Sequence, residues 1–399
     1  MEKKEERVRT NRSLLIVALV ALLTAACGGT GQSVADVTEV PPNNGTASAD
    51  TTSGGEGTSS APTELTTVRL AYGVAAIDPS TAPWLSAPKT AGFWQEEGLN
   101  VEVTGFNGAG PALQLLSNGQ VDAVFTGTPI LYQLRGEGAS LKAVASVYDR
   151  NHVYPVVPMD SDIETIEDFV GKRLGILDLQ GSVALWMKVL LAEHGMTLDD
   201  FESVTPVGAG APAVEAFTGG EIDVLAEWHG HYATLRELFD LEFKAFDDDP
   251  ALTEYNFVQA FFVTDEMIAN SPEIVEGLVR GMAKGVIFAD ANPEAAAEGH
   301  FRQFPATIPT DVDFETAVAQ AAAIIKENVQ LGIGSAMEGQ AGIMHEENVA
   351  AVRDALVAAG QLENPLEPDE YFTNEFVERA NNFDPAEIVS FAQSFQFDE

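Results

Sequence analysis

From Val68 onward the apolar residues recur with two alternating periods. Runs with period two, TVRLAYG (67–73), NVEVTGF (100–106), QVDAVF (120–125) and LKAVASV (141–147), read as half-buried strands. Segments near 82–97, 111–117 and 129–136 carry the three-to-four spacing of helices. Strands alternating with helices over short links predict parallel sheets covered by helices. A second unit follows NHVYPVVP (151–158). There Ser161–Glu164 reads as a capping box, RLGILD (173–178) as a strand, residues 180–195 as a helix and LEFKAF (241–246) as a strand. An apolar strand inside EYNFVQAFFVTDEM (254–267) is expected to return to the first unit. Beyond it the pattern is helical: Ser271-Pro272 opens a helix through Asp290, and others cover roughly 293–304, 312–331, 338–360 and 373–397.

The two units share an internal repeat. NGAGPALQLLSNGQVDAVF (107–125) matches VGAGAPAVEAFTGGEIDVLA (207–226), with Pro111 on Pro212, Gly119 on Gly220 and Asp122 on Asp223 at a constant offset of 101. Each copy reads as strand, Gly-rich turn, short helix, Gly and a second strand bearing the Asp. Two copies that far apart indicate two similar α/β lobes rather than a solenoid. Chain crossings near 152–158 and 254–263 would then form a two-stranded hinge.

The N-terminus is of another kind. Lys3, Lys4, Arg7, Arg9 and Arg12 precede an apolar run from Ser13 to Ala26, too short to span a bilayer, and LTAAC places Cys27 directly after it. Cys27 is the chain's single cysteine. That arrangement resembles a bacterial lipobox, in which the thiol is lipidated, with Thr24 standing where leucine is commonest. Residues 28–63 are rich in Gly, Ser, Thr and Pro and predict a flexible tether. The formal net charge is −40, and removing the basic leader makes the remainder more acidic. Such a surface argues against nucleic acid and against anionic lipid. A lone cysteine in the tether removes disulfides, thiolate metal sites and cysteine nucleophiles from consideration. No GxSxG, Walker loop or HExxH occurs.

AGFWQEEGLNVEV, LSNGQVDAVF, LKAVASV, IEDFVGKRLGI and SPEIVEGLVRGMAKGVIFADANPEAA together resemble the periplasmic solute-binding proteins of ABC importers. The similarity is to the branch that handles nitrate, sulfonates and thiamine-pyrimidine precursors, and AGIMHEENVAAVRDALVAAGQLENPLEPDEYFTNEFVERAN is most similar to the pyrimidine-precursor subgroup. The resemblance implies an α/β, type II periplasmic-binding-protein fold with a helical C-terminal region, closing over one small molecule without a cofactor. It also implies an ABC permease and ATPase as partners, and a monomeric receptor held at the outer face of the membrane by Cys27. The division expected is signal peptide 1–26, tether 27–65, first lobe 66–155, second lobe 156–256, and first-lobe return with C-terminal helices 257–399. A sulfonate or nitrate receptor, or a lipid-anchored sensor or enzyme on the same fold, is the competing reading.

In open α/β sheets ligands sit outside the carboxyl ends of the strands. That rule selects Asp78, Ser80, Trp84, Gly108, Gly110, Thr126, Thr128 and Tyr154 from the first lobe and its crossing. From the second lobe and return crossing it selects Gln180, Ser182, Gly208, Glu227, Trp228, His229 and Tyr255. Gly108, Gly110 and Gly208 either aim helix amides at a ligand or serve as plain turn glycines. Ser182 reads as a helix cap that can also touch ligand. Trp84 competes with core packing and Tyr154 with hinge packing, whereas Trp228 reads as a stacking surface. Asp122 and Asp223, being repeated, read as strand-start structure. His229 and His231 share a face, but no third ligand stands at a suitable spacing, so no metal is expected. Acidic and aromatic candidates, with Arg150 as their single fixed cation, favour a flat nitrogen heterocycle, an aminopyrimidine first, a flavin-like solute next and an alkyl sulfonate third.

Overall fold

A computed structural model describes residues 64–253 and 255–397. The predicted leader, Cys27 and the tether to residue 63 lie outside the described residues. In chain order the strands are β1 (Thr66–Tyr72), β2 (Leu99–Gly105), β3 (Ala123–Gly127), β4 (Leu141–Ser146) and β5 (Val153–Pro158). They continue as β6 (Arg173–Ile176), β7 (Ser203–Pro206), β8 (Val224–Trp228), β9 (Phe243–Ala245) and β10 (Gln259–Thr264). They form two five-stranded sheets, ordered β2-β1-β3-β10-β4 and β7-β6-β8-β5-β9. β1, β2 and β3 run parallel, as do β6, β7 and β8. In each sheet one strand is inserted antiparallel at the fourth place: β10 between β3 and β4, and β5 between β8 and β9. The chain has the periplasmic binding protein fold, two mixed sheets flanked by helices.

The chain leaves the first sheet after Ser146 and joins the second at Val153; it leaves again after Ala245 and rejoins at Gln259. Tyr154 is therefore not a crossing residue. It lies within β5, opposite Glu227 of β8.

The repeated aspartates do the same structural work in both lobes. Asp122 accepts the Arg69 backbone N–H at 2.8 Å and its Nε at 2.9 Å, while the guanidinium also reaches the Gly119 carbonyl. Asp223 takes the Arg173 backbone N–H and Nε, both at 2.9 Å, and that guanidinium reaches the Gly220 carbonyl. A carboxylate fork thus ties the start of one parallel strand to its neighbour.

Several predicted helices break where the chain carries breakers. The helix expected over 82–97 is three short turns, Ala82–Leu85, Ala87–Thr90 and Phe93–Glu96. Pro83 and Pro88 each open a turn, and Gly92, at φ +79°, starts the third. Ser161–Glu164 caps nothing; the capping box is Thr165 with Asp168, ahead of a 3-10 turn at Ile166–Phe169. The helix expected over 338–360 is Glu346–Ala358, preceded by Ile333–Met337, with Gly339 and Gly342 at positive φ between them. Residues 373–397 hold Val377–Ala380 and Pro385–Ser394, the latter capped by Asp384. The long helix Pro272–Ala291 buries its apolar face against the first lobe, where the Trp94 indole donates to the Leu278 carbonyl.

Candidate ligand-binding cleft

The carboxyl ends of β1, β2 and β3 face those of β6, β7 and β8 across a cleft of about 870 Å³. Its walls are loops 73–76, 107–111, 177–181 and 206–209, with Ile130 and Gln133 on one side and Leu185 and Lys188 on the other. Three helices begin at this rim: Ala109–Ser117 after Gly108, Ser182–Glu193 after Gly181 and Ala211–Thr218 after Gly210. Gly108 sits at φ +103° and Gly208 at +67°, conformations that need glycine. The inner end narrows to a recess of about 50 Å³ lined by Tyr72, Thr126, His152, Asp178, Ser182 and Trp228 among others.

Of the sequence-selected residues, Gly108, Gly110, Gln180 and Gly208 line the wide part, and Thr126, Ser182 and Trp228 line the recess. Gly110 lies inside its helix rather than in the turn before it. Ser182 is not a cap either. Gly181 holds the cap position, and the Ser182 hydroxyl, buried, has no hydrogen-bond partner. The Trp228 ring stacks on His231 with centroids 5.0 Å apart.

The other selected side chains are placed elsewhere. Trp84 is 1% exposed and packs edge-on to Tyr148 at 4.9 Å and against Phe125, so core packing takes it out of the cleft lining. Thr128 is buried and donates to the Phe257 carbonyl. The Tyr154 ring leans on Tyr232, and its hydroxyl bonds to His229 Nδ1 at 2.9 Å. His229 Nε2 lies 3.2 Å from Glu327, which also pairs with Arg236. This histidine therefore joins the second lobe to the helix Phe314–Val329 instead of facing the cleft. Tyr255 packs on Trp186 at 5.4 Å. Asp78 caps the turn Pro79–Thr81 by accepting the Ser80 N–H at 2.8 Å, and Ser80 is buried behind it.

Glu227 stands apart. It is wholly buried next to the Trp228 wall of the recess, and neither carboxylate oxygen has a hydrogen-bond partner. Its nearest basic group, His231 Nδ1, is 3.7 Å away, beyond hydrogen-bond range, while His231 Nε2 accepts the Gly210 N–H at 2.7 Å. Burial pushes the Glu227 carboxyl up, and the Asp178 charge adds to that, against the pull of His231. Burial likewise raises Asp78, which interacts with the same histidine. The Tyr72 hydroxyl is raised by burial first and by both of these carboxylates, though neither Asp78 nor Glu227 lines the cleft or its recess.

Sequence reasoning overlooked Lys188, and it placed Asp178 and His152 in the ligand-facing loops 178–182 and 148–154 without singling them out. Asp178 accepts the Gln180 N–H at 2.8 Å, and Lys188 donates to the Gln361 side chain at 3.0 Å. Lys188, not the exposed Arg150, is the cation in the cleft wall. The signal existed: Leu185 and Lys188 fall at i+3 and i+6 from Ser182, on one helix face.

A family profile described as NMT1/THI5 like matches residues 78–296. Riboflavin-binding protein RibY of Chloroflexus aurantiacus is 25% identical over 296 residues, covering 72% of this chain and 79% of that protein. The 4-amino-5-hydroxymethyl-2-methylpyrimidine phosphate synthase of Aspergillus parasiticus is 25% identical over 240 residues, covering 57% and 68%. Among solved structures, the alkanesulfonate-binding protein SsuA from Xanthomonas axonopodis pv. citri, bound to MOPS, superposes with a TM-score of 0.57 at 16% identity, covering 78% of this chain and 99% of that one.

Proposed function

The chain belongs to the NMT1/THI5-like family, and we propose that it is an extracytoplasmic solute receptor that binds a flat nitrogen heterocycle and delivers it to an ABC importer. The observation that carries the ligand class is the inner end of the cleft, where Asp178, Tyr72 and Trp228 line one recess and Glu227, next in the chain to Trp228, is buried with both oxygens unpartnered. Ring amino or imino groups would donate to the Asp178 carboxylate, which lines both the cleft and the recess. An anionic head group would instead meet the Asp178 carboxylate. Two like charges 4 Å apart repel by about 4 kcal/mol at an effective dielectric near 20. Trp228 and Tyr72 line the recess with one face of each ring already stacked, on His231 and Phe125 respectively. A flat ring in the wider cleft would meet what they leave uncovered, each contact contributing about 0.5–1.5 kcal/mol beyond area. A volume near 870 Å³ lies within the usual range for small-molecule sites and accommodates one to three fused rings.

Calorimetric titration with 4-amino-2-methylpyrimidine, riboflavin and an alkyl sulfonate tests the reading. Micromolar or tighter binding of a heterocycle is expected. Sulfonate binding of that strength, with no response to either heterocycle, would overturn it. Incubation with the bound heterocycle should return it unchanged; turnover would favour the enzyme reading instead.

The same proposal includes the membrane anchor and the two lobes read from sequence, with the chain exchanging between them after Ser146 and again after Ala245. Among the described residues no helix is long and apolar enough to cross a membrane. The lipobox at Cys27 would keep the receptor near its permease and raise its effective concentration there. Cys27→Ser should move the protein from the membrane fraction to the medium, and unchanged retention would remove the anchor.

A further inference from the structure

His152 occupies the first crossing, one residue before β5, and is 4% exposed. Its ring lies against Tyr148 with centroids 4.1 Å apart, and its carbonyl accepts the His229 N–H at 2.7 Å. Ring and backbone are thus fixed, yet Nδ1 has no hydrogen-bond partner. Ser182 approaches from the other lobe, and its Oγ is also buried without one. Both residues line the 50 Å³ recess at the inner end of the cleft. Native proteins leave few buried polar atoms unpaired, and two of them on residues that line one small space point to a partner that enters it.

Resting on the heterocycle reading above, we propose that His152 and Ser182 together hold a small uncharged polar substituent of the ligand, such as an amino group, in this recess. Burial, with the neighbouring His229, outweighs a hydrogen bond with the Gln259 side chain and pulls the His152 ring down to about 3, so near neutral pH it carries no charge to attract an anion. Asp178 on the same wall disfavours an anionic substituent as well. The hydroxyl can donate or accept, and Nδ1 of a neutral imidazole does one or the other according to tautomer, so the pair reads a polar group without requiring charge. Because one residue belongs to the crossing and the other to the second lobe, the substituent bridges parts that must approach each other when the cleft closes.

The test compares 4-amino-2-methylpyrimidine with 2-methylpyrimidine, which lacks the amino group, by calorimetric titration of full-length protein. His152→Phe keeps a ring against Tyr148 but removes Nδ1. It should weaken the amino compound about tenfold or more, leave the plain ring unchanged and not lower the melting temperature of the ligand-free protein. His152→Asn, which restores a polar atom, should recover part of the loss, and Ser182→Ala should weaken the amino compound about fivefold. Equal losses for both probes with a lowered melting temperature would assign His152 to packing and overturn the proposal. So would unchanged affinity in both His152→Phe and Ser182→Ala. If His152→Phe does not fold, Ser182→Ala decides alone. Should wild-type protein bind neither pyrimidine nor riboflavin, the heterocycle reading and this proposal fall together, whereas heterocycle binding indifferent to both substitutions sinks only the latter.

Discussion

Gly230 lies in the first turn of the helix His229–Phe239 of the second lobe, pressed against the Ser80 turn of the first. A Cβ placed there would stand 2.6 Å from Ser80 Oγ, 2.7 Å from Ser80 Cβ and 3.1 Å from Asn328 Nδ2. Comfortable carbon contacts lie at about 3.5–4.0 Å, so Gly230→Ala requires the lobes to part by about 1 Å at this point. Ser80 cannot easily retreat: Asp78 caps its turn, and Asn328 donates to its carbonyl at 2.7 Å. Overpacking of this kind costs about 1–3 kcal/mol, against a helix gain from alanine of roughly 0.5–1 kcal/mol. With the lobes apart the clash vanishes and the helix gain remains. The substitution should therefore shift the protein away from the joined arrangement by about 1–3 kcal/mol and weaken ligand binding by roughly five- to 150-fold. Calorimetry with whichever heterocycle binds wild-type protein measures this. Ser80→Gly in the Gly230→Ala background removes the obstructing atoms and should restore most of the affinity. Wild-type affinity in Gly230→Ala, or a loss that Ser80→Gly does not relieve, would refute the reasoning.

Asp223→Ala breaks the fork to Arg173, whose partners are each about one-third exposed, and should cost about 1–2 kcal/mol in urea unfolding without changing ligand affinity. Trp84→Ala should destabilise by about 3–5 kcal/mol, whereas Trp84→Phe should keep heterocycle affinity within about twofold; a large affinity loss in the Phe variant would return Trp84 to the ligand surface. Partial burial lowers the His194 ring, but Glu167 and Asp249, at 2.9 and 3.0 Å, outweigh it and hold the imidazole above its ordinary 6.5. The sign follows: this stabilisation is present below pH 6.5 and is lost as pH rises through the folded value. The difference in melting temperature between wild type and His194→Gln should accordingly shrink between pH 6 and pH 9, and a constant difference would contradict it.

The sequence carried the repeated architecture clearly because both copies use the same local chemistry. Positive-φ glycines at Gly119 and Gly220 end their helices, and Asp122 and Asp223 each clamp an arginine at a strand start. Helix breaks were harder to read. Apolar spacing over 82–97 looks continuous until Pro83, Pro88 and Gly92 are weighed against it. The cleft was legible in its backbone, since glycine turns after parallel strands sit where the topology requires. Its side chains were less so, because alternation along a strand does not say which face meets the other lobe. Trp84 turned into the core and His229 toward Glu327, while Lys188 and His152 reached the cleft from a helix face and a crossing. Such convergence depends on how two lobes meet, which no local pattern encodes.

The placement of β10 bears on how the chain acquires its shape. β5 to β9 all lie within residues 153–245, so one sheet has every strand it needs once that stretch is available. The other sheet is incomplete at the same moment, since β3 and β4 can be joined only by a strand more than 110 residues further along. Closing so long a loop is slow, and until it closes the edges of β3 and β4 are open to pairing with other chains. For a polypeptide that emerges N-terminus first, the first lobe begun is thus the last one finished. Truncation before Gln259 should leave an aggregation-prone fragment rather than an independent domain, and assembly should be rate-limited by the insertion of six residues, QAFFVT, into a slot waiting between two strands.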